Sequence, residues 1–248
     1  MMSLVNVNLG NVVKKQYLFK LRSYVGVFTS LVVLQLIALL FSLGGTGGGG
    51  GGSGNFHVMI NYYSGDVVII FTILWVFING ILITTKAYRE DDFSFVTNRL
   101  TNNLSNILFL LTASLVGGVT AIASGILLKV IRYFFFNAEP IITTFSISTI
   151  EIIYGVLATI LYVFLFGSLG YLVGSLVQLY KKLAIILPVA FFGILFALAS
   201  RDIMLVEGVG EFYFKETSFL LFTVKVITTS GILLIVSLTI SNRQEVRL

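Results

Sequence analysis

Few side chains in this sequence can do covalent chemistry. There is one histidine, His57, and no cysteine. That removes disulfides, thiolate metal sites and cysteine nucleophiles together. The conspicuous residue type is glycine: GGTGGGGGGSG, residues 44–54, carries nine glycines in eleven residues. A phosphate-cradling loop needs the frame G-x-x-x-x-G-K-[ST], in which backbone N–H groups wrap the phosphates and the lysine reaches the terminal one. Here Gly52 is followed by Ser53, Gly54 and Asn55, and the nearest downstream lysine is Lys86. Neither Gly-Lys-Ser nor Gly-Lys-Thr occurs in the chain. The run is not a nucleotide site. Intramembrane proteolysis would need a Ser/His pair, paired aspartates or a metal cluster, and no H-E-x-x-H occurs. The chain therefore reads as no enzyme, with no metal or cofactor bound by it.

The elements that must position anything else are set by composition. The 248 residues are 57% hydrophobic and 11% charged, with a mean hydropathy of +1.00. A soluble domain carries roughly 25% charged residues, so the solvent read from this chain is lipid. The net charge of +5 is read as topological, and no nucleic-acid partner is expected. No cleavable signal peptide is evident, because polar residues and basic pairs follow the N-terminus without an early apolar core.

A bilayer core about 30 Å thick takes about 20 apolar residues of helix. Six stretches qualify, at about 24–43, 67–85, 106–128, 152–179, 183–200 and 219–240. The expected architecture is an all-α integral membrane protein with six transmembrane helices. Residues 1–23 form an interfacial segment, 24–240 the membrane domain and 241–248 a tail. With the N-terminus inside, eleven lysines and arginines fall inside and four outside, with Lys225 in the sixth span. That bias puts both termini in the cytoplasm of a cell membrane.

Within 1–23, Leu9, Val12, Val13, Tyr17 and Leu21 recur at helical spacing, and Asn11, Lys14, Lys15, Lys20 and Arg22 occupy much of the remainder. An amphipathic helix on the inner surface follows; a loosely structured basic leader is the plainer alternative. The glycine run, outside and between spans one and two, reads as a flexible tether spanning about 17–20 Å. A substrate contact or an inserted linker are the other readings. The external segment 201–218, broken at Gly208 and Gly210, reads as short capping helices or an ordinary surface loop. Tyr133, Phe134, Phe135 and Phe136 fit an outer aromatic belt.

Between spans two and three lies KAYREDDFSFVTNRLTNNLSN, residues 86–106. Glu90, Asp91 and Asp92 are placed where a helix N-terminus favours negative charge. Phe93, Val96, Leu100 and Leu104 then make one apolar stripe, with Asn98, Arg99, Asn102 and Asn103 off it. This predicts a short amphipathic cytoplasmic helix, lying on the membrane or in a partner's groove; a solvated loop is the alternative. Ala113, Gly117, Ala121 and Gly125 form a small-residue ladder, and Gly170 and Gly174 a GxxxG, with Gly167 beside it. Such faces serve helix packing or a subunit interface. Lys225 is about 9 Å into its span at 1.5 Å per residue. It is a candidate pathway residue, or a snorkelling lysine paired with Glu216 or Glu151.

These features, in this order, resemble the permease subunits of ABC-2-type ATP-binding-cassette exporters. The resemblance covers nearly the whole chain and is carried most by YREDDFSFVTNRLTNNLSNILF, although the proline of the family's usual turn is missing. It implies that Glu90, Asp91, Phe93, Val96, Arg99, Leu100 and Leu104 lie in or beside a coupling helix that touches a separate ATPase subunit. ATP and Mg would then be bound by that partner. A second permease chain, identical or paralogous, would complete the route for an amphipathic peptide, lipid-like molecule or drug. A non-transport membrane scaffold, immunity or sensing subunit is the alternative reading, and an ATP-independent carrier a third.

Overall fold

The computed structural model describes residues 9–53, 56–88, 98–136, 148–199, 211–213 and 216–243. Its helices are α1 (Leu9–Ser23), α2 (Val25–Leu43), α3 (Asp66–Leu82), α4 (Arg99–Phe135), α5 (Thr149–Leu179), α6 (Leu183–Ala199) and α7 (Phe219–Arg243), with strands β1 (Gly47–Ser53) and β2 (Phe56–Tyr62) between α2 and α3. A helix overlaps each of the six apolar stretches, α2 to α7 in order. Four of them, α2, α4, α5 and α7, are long and apolar enough to cross a membrane. Helices α3 and α6 have 17 residues each.

The surface is that of a protein solvated by lipid. Leu40 is 68% exposed while Ser42, two residues on, is wholly buried. Several hydroxyls inside the bundle are satisfied by their own helices: Thr72 donates to the Val68 carbonyl at 2.7 Å, Ser114 to Leu110 at 2.8 Å and Ser168 to Phe164 at 2.8 Å. Bonding to i−4 leaves no polar hydrogen facing hydrocarbon. The core runs from Leu31, Trp75 and Phe109 through Leu110, Ala113 and Val163 to a second cluster of Ala38, Leu39, Val68, Ala121 and Leu128.

Without a hydrophobic drive between helices in lipid, close backbone approach has to supply the attraction. The small residues provide it. A Cβ at Gly80 would stand 2.5 Å from the Gly167 carbonyl oxygen, and one at Gly117 would stand 3.0 Å from Thr72 Cγ2. One at Gly170 or Gly174 would run into the backbone of Phe77 or Ile81, each 2.9 Å away at its nearest carbon. Ala121 is 1% exposed, and Gly125 faces the Gly65 backbone. Both ladders are thus spent within this one chain, joining α3, α4 and α5. Gly80, the third glycine of that contact, was not singled out from sequence.

The glycine run departs from the tether expected of it. Gly47 to Ser53 pairs antiparallel with Phe56 to Tyr62, with Gly47 opposite Tyr62 and Ser53 opposite Phe56. Ladder hydrogen bonds use only backbone groups, so a strand-prone partner can recruit a strand that has no side chains. The base is fastened by Thr46, whose N–H donates to the Tyr62 carbonyl at 2.9 Å and whose hydroxyl accepts from Ser64 N–H at 3.0 Å. Gly45 takes φ 98° there, a left-handed turn suited to glycine.

Chain order makes the helices alternate in direction, so the bundle has two ends. The first carries α1, the starts of α2 and α4 and the ends of α3, α5 and α7. The opposite end carries the hairpin and the turn at 211–213.

Candidate functional site

The first two turns of α4 read T-N-N-L-S-N. Asn98 precedes them with extended backbone at φ −87°, ψ 149°, which starts the helix seven residues before the expected span. Leu100 and Leu104 therefore belong to the same rod as span three, not to a separate helix on the membrane. Their facing is also reversed. Thr101, Asn102, Asn103, Ser105 and Asn106 are buried, while Leu100 is 47% exposed. In lipid the polar face turns inward, where hydrogen-bond partners are. Arg99 and Leu104 are half-buried beside it. Glu90, Asp91, Phe93 and Val96, like Asp92, lie outside the described residues.

What the asparagines meet is Lys20. Expected among the lipid-facing cations, it is wholly buried. Its ammonium donates to Asn102 Oδ1 at 2.6 Å and to Asn106 Oδ1. From there the network spreads. Tyr171 of α5 donates its hydroxyl to Asn103 Oδ1 at 2.8 Å, and Asn103 Nδ2 donates to Ser241 Oγ of α7 at 3.2 Å. Asn106 Nδ2 reaches Tyr171 Oη at 3.4 Å, and Ser175 and Ser237 share a hydrogen at 2.7 Å. Higher on the same rod, Tyr17 Oη and Thr112 Oγ1 are 2.7 Å apart. Four helices, α1, α4, α5 and α7, are thus pinned at one polar junction.

Helix α1 rotates accordingly. Its buried residues are Val13, Gln16 and Lys20, and Leu9, placed on the apolar stripe by sequence, is 49% exposed. Lys14, Lys15 and Arg22 stay exposed as expected. The i, i+3, i+7 spacing of Val13, Gln16 and Lys20 was available in the sequence. Two polar members disguised it, because burial of a polar face is a tertiary fact.

At the opposite end Lys225 is paired with Glu216, one of the two partners considered for it. Its ammonium also donates to the Phe212 carbonyl at 3.3 Å and lies 4.3 Å from the Phe212 ring centroid. The hydrogen bond from Lys225, helped by its charge, holds the Glu216 carboxyl below its ordinary range. Tyr162 Oη donates to the Tyr213 carbonyl at 2.7 Å, so α5 and α7 both grip the 211–213 turn. Glu151, the other partner considered for Lys225, instead closes a capping box with Ser148 at the start of α5. Arg132 lies over the Tyr63 ring at 3.2 Å and donates to the Leu43 carbonyl at 3.3 Å, which ties the hairpin base to α2 and α4. Gly208 and Gly210 lie outside the described residues.

Midway along the bundle Gln35 makes a third polar contact. Its Nε2 reaches Thr72 Oγ1 at 3.1 Å, Thr120 Oγ1 at 3.0 Å and the Gly117 carbonyl at 3.4 Å. These are joining contacts, and none of them assembles a nucleophile, base or ligand set. No protein-family model matches the chain, and no curated protein or solved structure matches it either.

Proposed function

We propose that this chain is the membrane-spanning permease subunit of an ATP-driven exporter of the ABC-2 type. One observation carries the reading: the Lys20 junction fastens α1 to the inner end of α4, directly after segment 86–98. Helix α4 has 37 residues, about 55 Å at 1.5 Å per residue. A bilayer core takes about 30 Å, so the rod has length to spare beyond it. Motion imposed on 86–98 by an ATPase would move that rod, and with it α1, α5 and α7, as one body. Coupling needs such a two-position rigid element.

In this reading all six helices from α2 to α7 cross a bacterial plasma membrane, with both termini cytoplasmic, on the charge bias given above. Seventeen residues, as in α3 and α6, sit at the short limit of about 17–25 for a span. ATP and Mg belong to a separate ATPase subunit, a second permease chain completes the pathway, and the cargo is amphipathic. The chain itself catalyses nothing.

The test is purification from the native membrane in gentle detergent, with mass spectrometry of stoichiometric companions. A soluble P-loop chain is expected. Leu100→Ala, at an exposed position, should then leave the fold intact and lower substrate-stimulated ATP hydrolysis. Recovery of this protein alone in repeated preparations would overturn the reading in favour of a membrane scaffold.

A further inference from the structure

A cavity of about 260 Å³ opens at the first end of the bundle, between the α1–α2 elbow and the end of α3. Ligand pockets for drug-sized molecules run roughly 300–1,000 Å³, so this one has room for a head group rather than a whole amphiphile. Its wall mixes polar side chains with Gly26, Val27 and Leu82. Ser23, Tyr24 and Ser30 line one side, and Asn79 and Tyr88 the other. Ser30 Oγ accepts from Trp75 Nε1 at 3.0 Å, and Asn79 Nδ2 donates to the Trp75 carbonyl at 2.8 Å. Among the described residues, the Asn79 carboxamide oxygen on that wall accepts no hydrogen bond. Tyr24 and Tyr88 meet edge to face at 4.7 Å and hold the rim.

Apolar surface runs away from this mouth towards the membrane interior. Val32 and Val33 of α2 are 55% and 52% exposed, and Leu74, Ile78 and Leu82 of α3 lie between 40% and 52%. Arg22 immediately precedes Ser23 and is exposed. An exposed arginine next in sequence to a lining residue, a pocket with polar groups on its wall and exposed apolar side chains on α2 and α3 match the parts of a phospholipid in order. We infer that this cavity binds the head group of a bilayer phospholipid carrying hydrogen-bond donors. The phosphate is held at Arg22, a head-group hydroxyl donates to Asn79 Oδ1, and the acyl chains lie along α2 and α3. The site stands independently of the transport reading, because it needs no ATPase and no cargo.

The chain provides its own probe, because Trp75 is its one tryptophan, is 3% exposed and bonds to a cavity wall. The full-length protein is placed in phosphatidylcholine vesicles containing rising fractions of phosphatidylglycerol brominated near the glycerol. Gly26 lines the cavity and a Cβ there meets nothing within 4 Å, so Gly26→Leu can fill the space and Gly26→Ala serves as control. Quenching of Trp75 should rise steeply and level off at a small lipid fraction in the parent and in Gly26→Ala. Gly26→Leu should lose that saturable component and keep only a shallow proportional one. Brominated phosphatidylcholine, whose head group has no donor, should give the shallow curve in every variant. A saturable curve surviving in Gly26→Leu, or the same curve from both lipids, would overturn the inference.

Discussion

The Lys20 ammonium donates to Asn102 Oδ1 at 2.6 Å across 82 residues of sequence, in a place where both residues are buried. An interfacial helix held this way is part of the bundle rather than a raft on its surface. Transferring a charge out of water is costly unless hydrogen bonds replace the lost hydration, and Asn102 and Asn106 supply two. The junction is therefore worth more when whole than any of its members alone.

Lys20→Met leaves two buried carboxamide oxygens short of a donor. Hydrogen bonds to charged groups contribute about 1.5–3 kcal/mol each, and not additively. A loss of about 2–4 kcal/mol is expected, read as a lower unfolding midpoint in detergent. Asn102→Leu in the Lys20→Met background should cost less than in the parent. Equal costs in the two backgrounds would mean the pair is not coupled.

Glycine substitutions should divide by position. Gly80→Leu drives a side chain into the α5 backbone, where overpacking costs about 1–3 kcal/mol or more, and it should fail to give stable protein. Gly155→Ala and Gly231→Ala meet nothing within 4 Å, and in a helix interior they should be neutral or gain about 0.5–1 kcal/mol. Thermal unfolding of the three variants side by side decides this.

The grip of Lys225 on Glu216 sets a pH dependence. The Glu216 carboxyl lies below the ordinary 4.5 in the folded chain. Its contribution is therefore complete above the unfolded value and is lost as pH falls through the lowered folded one. Thermal midpoints should fall more steeply below about pH 4.5 in the parent than in Glu216→Gln, whose curve should be flatter there. High salt should narrow the gap, since both side chains are partly exposed. Superimposable curves would show that the pair contributes nothing.

Replacing Gln35 with leucine removes the contact shared by α2, α3 and α4. Side-chain hydrogen bonds inside membranes average about 0.6 kcal/mol, with a maximum near 1.7. Gln35→Leu should therefore lower stability by about 1–2 kcal/mol without loss of assembly. A drop as large as that of Lys20→Met would assign Gln35 a second role.

Much of this protein was legible before any coordinates. Apolar runs of about twenty residues have one outcome in lipid, so Val25–Leu43, Thr149–Leu179 and Phe219–Arg243 fall where hydropathy puts them. Gly170 and Gly174 advertised a close helix approach because only their lack of a Cβ permits one. Glu216 was already a named candidate partner for Lys225, through its proximity along the chain.

Facing was the part that the sequence left open. Periodicity groups Leu9 with Val13, and Leu100 with Leu104, but a stripe carries no sign saying whether its apolar or its polar side is covered. In water the apolar side is. At the first end of this bundle the polar side is covered, because Lys20, Asn102, Asn106 and Tyr171 satisfy one another there and acyl chains can satisfy none of them. The glycine run was undecided for a related reason: backbone pairing with Phe56–Tyr62 leaves no mark in side-chain identity. Composition and run length determined the solvent and the helices on their own. Which residues meet across tens of positions was decided only by the tertiary structure, because hydrogen bonds between distant polar groups depend on where the whole bundle brings them.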